Sequence, residues 1–220
     1  MKPKVKICCI SGLEEAHLAI KHGASALGLV SEMPSGPGVI EEQLITEIVA
    51  QIPPPIATFL LTSKTSAGEI VAQQKRTRAN TIQICDSVER DVYAALRESL
   101  HGISLVQVIH VRGRESFEEA MKVAEEVDAL LLDSGNQTLA VKELGGTGRT
   151  HDWVISKMIV AESPKPVFLA GGLKAENVGE AIANVRPFGL DICSGVRTNG
   201  KLDEEKLIRF FESIENIVAV

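Results

Sequence analysis

The chain has very few aromatic residues. Phe, Trp and Tyr make up 4% of its 220 residues, with one Trp and one Tyr. Its core must therefore come from Val, Ile, Leu and Ala, and a hydrophobic content of 45% supplies them. It lacks any run of about 18 apolar residues, so no membrane-spanning helix is expected. It lacks a signal-peptide core as well, since Lys2, Lys4 and Lys6 open it with a charged segment. It has no excess of positive charge: the formal net charge of −6 argues against nucleic acid as its main partner. The four cysteines, at 8, 9, 85 and 193, have neither metal-ligand spacing nor the pattern of a secreted disulfide framework. A bridge between adjacent Cys8 and Cys9 would be strained. The expectation is a cytoplasmic protein with reduced thiols and no metal. Linkers and low-complexity stretches are missing too, so residues 1–220 read as one domain.

Strand-like and helix-like runs alternate eight times. The strands are expected at 5–9, 26–30, 56–62, 81–85, 104–111, 129–133, 166–170 and 189–193. Helices follow each one, including 116–127, where Ser116 three residues before Glu119 suggests a cap. The near-continuous Val/Ile/Leu runs suit parallel strands buried on both faces. A doubly wound open sheet would place a G-x-G-x-x-G turn after its first strand. Here that strand runs into Ile10-Ser11-Gly12. The pattern fits an α/β fold of the single (β/α)8 TIM-barrel type.

Three late strands end in small, glycine-rich turns: Gly145-Gly146-Thr147-Gly148, Gly171-Gly172 and Ser194-Gly195. Backbone N–H groups can approach an anion closely where no Cβ intervenes. Together the turns predict a phosphate seat at the C-terminal face of the barrel, with Gly148, Gly171, Gly172, Ser194 and Gly195 donating. Chemistry-bearing side chains at the same strand ends are Cys8, Gln83, Cys85, His110, Asp133 and Asp191. Lys6 shares a face with Cys8, and a strand lysine is expected to turn inward to a partner. Asp133 closes an apolar run, where a carboxylate must be paired, capping or catalytic. Cys8 is open to two readings, a reactive thiol or a small core residue.

With these runs in hand, the chain resembles the phosphoribosylanthranilate isomerase family of tryptophan biosynthesis over nearly its whole length. The matching motifs include Val5-Lys6-Ile7-Cys8, Leu131-Leu132-Asp133, Gly145 to Trp153, Leu169-Ala170-Gly171-Gly172-Leu173 and Asp191-Ile192-Cys193-Ser194-Gly195-Val196. The resemblance implies an Amadori rearrangement of an aminoaldose phosphate to an aminoketose phosphate. It makes Asp133 the general acid and Cys8 the general base. It makes Gln83, Gly146, Gly148, Gly171, Gly172, Asp191, Ser194 and Gly195 the substrate- and phosphate-binding set. It implies no metal or organic cofactor. The expected partner is a small phosphorylated sugar, on a monomer or homodimer.

The chain departs from the family pattern on one side of the expected pocket. Pro37 stands about where the family carries the arginine that holds the anthranilate carboxylate. Cys85 replaces a histidine, and Cys9 replaces the glycine after the catalytic cysteine. Lys64, Arg112 or Arg114 could supply a replacement cation. The alternatives are a paralogous sugar-phosphate isomerase or epimerase with another substrate, and a non-catalytic phosphate-ligand binder.

Overall fold

The computed structural model describes residues 2–218; Met1, Ala219 and Val220 lie outside them. Eight parallel strands close into a barrel: β1 (Lys4–Ile7), β2 (Ala26–Val30), β3 (Ala57–Thr62), β4 (Thr81–Ile84), β5 (Ser104–His110), β6 (Ala129–Asp133), β7 (Val167–Leu169) and β8 (Gly189–Ile192). Closure is made by β8 pairing with β1, where Lys6 lies opposite Asp191 and Ile7 opposite Ile192. A helix follows each strand, from α1 (Leu13–Lys21) after β1 to α8 (Glu204–Val218) after β8. Among the described residues no helix is long and apolar enough to cross a membrane.

Strand alternation sorts the apolar residues into two packed layers. Leu27, Leu29, Leu60, Ile82, Leu130, Leu132 and Leu190 point outward to the helices and are fully buried there. Ala26, Phe59, Leu61, Val106, Val108, Leu131 and Phe168 fill the barrel interior. Three of the aromatics meet at its floor. Phe59 meets Phe168 edge-on at 5.8 Å, and Phe168 meets Phe188 at 5.5 Å. These three rings line a cavity at the N-terminal end of the barrel rather than filling it.

Several expected boundaries shift. The first strand ends at Ile7 rather than residue 9, and the seventh and eighth stop at Leu169 and Ile192. Cys8, Cys9, Ala170 and Cys193 therefore belong to the turns above the barrel. Helix α5 begins at Glu115, so Ser116 lies inside it and is not its cap. Its hydroxyl instead accepts from the Arg112 N–H and donates to the His110 carbonyl, tying the strand end to the helix start. A 3₁₀ turn at Ser194–Val196 and a hairpin of β9 (Arg197–Thr198) with β10 (Lys201–Leu202) follow β8. Neither is visible in the residue pattern, because each is too short to carry a period.

Candidate active site

The C-terminal mouth of the barrel opens into a cleft of about 690 Å³. Its walls come from the ends of β1, β2, β3, β4, β6, β7 and β8 and from two covering loops, 31–41 and 134–152. Cys8, Gln83, Asp133 and Asp191, singled out from sequence, all line it. So do Gly146, Gly148, Gly171, Gly172 and Ser194. Gly195 does not line it. A Cβ there would sit 2.1 Å from the Leu173 carbonyl oxygen, so its lack of a side chain lets the β8 turn lie against the β7 turn.

The three glycine-rich turns converge. A Cβ on Gly172, whose φ is +61°, would fall 2.8–3.0 Å from the backbone of residues 148–150. A Cβ on Gly148, with φ +67°, would start 3.6 Å from Ser194 Oγ. Only glycine combines the left-handed backbone with this contact between main chains. Asn177 braces the β7 turn by donating to the Gly172 carbonyl and accepting from the Lys174 N–H.

Below this rim lies a row of charge. Lys6 is fully buried and pairs with Asp191 at 2.9 Å, with its ammonium 5.2 Å from the centre of the Phe59 ring. Burial alone would lower the lysine pKa. The Asp191 carboxylate and the Cys8 sulfur outweigh it and hold the amine charged, well above the usual lysine range. The interaction is local, because a single Cβ placed on Gly28 would touch both partners: Cys8 Sγ at 2.8 Å and Lys6 Nζ at 3.0 Å. Asp191 lines the same cleft, and its Oδ1 is buried without a partner.

Asp133 sits across the mouth, 8% exposed. Burial pushes its carboxyl above the usual carboxylate range, and the Asp191 charge adds to the rise. The Ser134 N–H donated to Oδ1 at 2.7 Å, His110 and Lys6 all oppose it. Cys85, His110 and Gln83 nearby are buried. Burial drives the Cys85 thiol far up. His110 is bonded through Nε2 to the Cys85 carbonyl, and Gln83 leaves Oε1 unpartnered in the cleft. Burial takes His151 down to about 4, so its ring is uncharged at neutral pH, and its Nε2 shares a proton with Ser156 Oγ.

Among the described residues the cleft wall holds no Lys or Arg side chain. Val30, Met33, Ser35, Pro37, Leu61 and Leu144 shape it. Neither Lys64 nor Arg112 nor Arg114 lines the cleft; Lys64 pairs with Glu32 on the surface. A cation not expected from the sequence, Lys142, also lies outside the lining but is tied to it through Ser35. Lys142 pairs with buried Asp86, the residue after Cys85, and its carbonyl accepts from Ser35 Oγ. A second missed residue is Arg197. Its guanidinium donates to the carbonyls of Cys8 and Cys9 and pairs with Glu15, fixing the turn that carries Cys8. No spacing rule points to either, since each acts across more than fifty residues of chain.

Among the described residues no group of three or more His, Cys, Asp or Glu side chains is placed to hold a metal ion. The profile of the N-(5'-phosphoribosyl)anthranilate (PRA) isomerase family matches residues 5–213. N-(5'-phosphoribosyl)anthranilate isomerase 2 of Methanosarcina mazei is 38% identical over 216 residues, covering 97% of this chain and 94% of that protein. The solved structure of the isomerase from Pyrococcus furiosus superposes with a TM-score of 0.80 at 28% identity, covering 97% of this chain and 99% of that one. A phosphoribosylanthranilate isomerase solved with reduced 1-(o-carboxyphenylamino)-1-deoxyribulose 5-phosphate gives 0.79 at 25% identity, with the same coverage. With its barrel and almost its full length matched in this way, the chain belongs to the N-(5'-phosphoribosyl)anthranilate isomerase family.

Proposed function

We propose that this cleft isomerises N-(5'-phosphoribosyl)anthranilate by general acid–base catalysis, as a cytoplasmic step of tryptophan biosynthesis. The observation that carries the reading is two groups lining one cleft: Asp133, whose carboxyl burial pushes up, and Cys8 beside the Lys6 ammonium. An acid and a base facing one small volume have no use in a passive binder. The phosphate is seated on N–H groups of the Gly148, Gly171–Gly172 and Ser194–Gly195 turns, which places the ribose below them.

The chemistry then follows from the two side chains. Asp133 donates its proton to the ring oxygen, and the C1–O bond opens to a protonated imine between C1 and the anthranilate nitrogen. The Cys8 thiolate removes the C2 proton, and the electron pair neutralises the imine as an enolamine. Tautomerisation yields the ketose, and proton exchange with water resets Cys8 to thiolate and Asp133 to acid. Lys6 supplies positive charge next to the sulfur. The free Asp191 Oδ1 accepts from a ribose hydroxyl, and Gln83 orients the aglycone side.

Lys142 is the cation for the carboxylate on the aromatic ring. Pro37 offers none, and an unpaired carboxylate in a closed pocket is costly. The Lys142 loop supplies Leu144 to Gly148 to the cleft, and its partner Asp86 adjoins Cys85. Lys142→Ala is expected to raise KM for the carboxylated substrate about tenfold or more while kcat changes less, as loss of a charge-assisted contact does. An unchanged KM removes Lys142 from this role. The reaction is tested by the fluorescence decay of phosphoribosylanthranilate with the purified protein and by rescue of a tryptophan auxotroph lacking the isomerase. Absence of both favours the paralogous reading, in which the cation-free wall receives a substrate without that carboxylate.

A further inference from the structure

Two thiols that the isomerisation does not use stand in contact above the β1–β8 seam. Cys9 Sγ and Cys193 Sγ lie 2.9 Å apart, inside the ordinary contact distance of two unbonded sulfurs. Their chain neighbours matter. Cys9 follows the proposed base Cys8, and Cys193 precedes Ser194 of the phosphate turn. Both line the cleft and are reached from its opening. Cys9 also holds a left-handed backbone, φ +62°, that a glycine takes freely and a cysteine does not. Its side chain is packed under the covering loop, contacting the Pro37 carbonyl and blocking any Cβ on Gly38.

The two sulfurs are unlike. The contact with Cys9 and the nearby Arg197 guanidinium bring Cys193 below the usual thiol range, although burial opposes them. Cys9 is driven the other way by its contacts with Cys193 and Cys8 and by burial. Cys193 is thus the sulfur suited to attack, and Cys9 is placed to resolve by its contact with it.

We propose that Cys9 and Cys193 are a reversible oxidation site, taking a small peroxide as oxidant and closing to a disulfide that switches off the cleft. The Cys193 thiolate attacks the peroxide O–O bond and becomes a sulfenic acid; the hydroxide that leaves takes up the proton the thiol gave up on ionising and departs as water. The Cys9 thiol then displaces the sulfenic oxygen as a second water. Two thiols and one hydrogen peroxide become one disulfide and two waters, and an external dithiol reverses the change. Bonding draws Cys9 and Cys193 together and moves Cys8 relative to Ser194. A shift of about 1 Å between base and anchored substrate is enough to cost roughly 10²-fold in rate. This effect on turnover rests on the isomerase reading; formation of the bond does not.

The test treats the reduced, folded protein with hydrogen peroxide and then alkylates it in denaturant. Peptide mapping is expected to show a Cys9–Cys193 cross-link with Cys8 and Cys85 still alkylated. Turnover should fall at least tenfold in step with the cross-link and return with dithiothreitol. Cys193→Ser, compared with its own reduced form, should keep its rate at the same dose. A missing cross-link, a Cys8–Cys9 bond, a cross-linked protein of full activity, or an equal loss in Cys193→Ser overturns the proposal. A reduced protein that never isomerises phosphoribosylanthranilate yet forms the cross-link supports the oxidation site and refutes the isomerase reading instead.

Discussion

Cys8→Ser and Asp133→Asn are each expected to lower kcat by about 10²–10⁴-fold, the range that a positioned acid or base contributes, with KM little changed. Both substitutions nearly preserve shape in a wall that is already closely packed. The serine hydroxyl is a far weaker base than a thiolate, and the asparagine amide cannot donate a proton to a ring oxygen. A near-wild-type rate in either variant would show that the acid–base pair lies elsewhere. Stability should move the opposite way at Asp133. Its folded pKa is raised, chiefly by burial. Its contribution to stability is complete below the unfolded aspartate pKa, about 3.9, and is lost as pH rises through the folded value. Removing the ionisable carboxyl removes that loss, so Asp133→Asn should raise the denaturation midpoint at pH 7 by more than at pH 5. The same ionisation removes the general acid, so wild-type kcat should decline as pH climbs through the raised Asp133 pKa.

Lys6→Met should cost more in stability than any other single change at the mouth. Lys6 and Asp191 form a buried ion pair at 2.9 Å, and the amine is held charged by that partner and by Cys8. Removing one partner of a buried pair strands the other, at about 3–5 kcal/mol. At 2–4 °C per kcal/mol for a chain of this size, the expected fall in Tm is roughly 6–20 °C. The double variant Lys6→Met/Asp191→Leu should recover much of this loss, since a buried ion pair exchanged for packed apolar groups is often neutral. It should not recover turnover, because the positive charge beside Cys8 and the hydroxyl acceptor Oδ1 are both gone. Thermal melts with kcat measured on the same preparations separate the two effects. Equal Tm for the single variant and the wild type would refute the ion-pair account.

The barrel itself was legible in the chain. Eight short Val/Ile/Leu runs separated by helical periods leave few parallel folds, and residues such as Leu130 and Leu132 against Leu131 obey the period of two that a strand imposes. The inward turn of Lys6 was legible for the same reason, since alternation put it on the face of Cys8 and away from the apolar helices. The glycine turns were legible because close approach of main chains demands glycine locally. Their meeting required closure of the barrel, which brings the turn after β6 against the turns after β7 and β8. The contacts that span the chain could not be read in advance. Arg197 beneath the Cys8 carbonyl, Lys142 on Asp86 and Cys193 against Cys9 join residues 189, 56 and 184 positions apart. Local spacing carries periodicity and turn chemistry, whereas a pairing across the mouth depends on strand register and loop path. Those are decided only when β8 closes on β1 and the loops settle over the cleft.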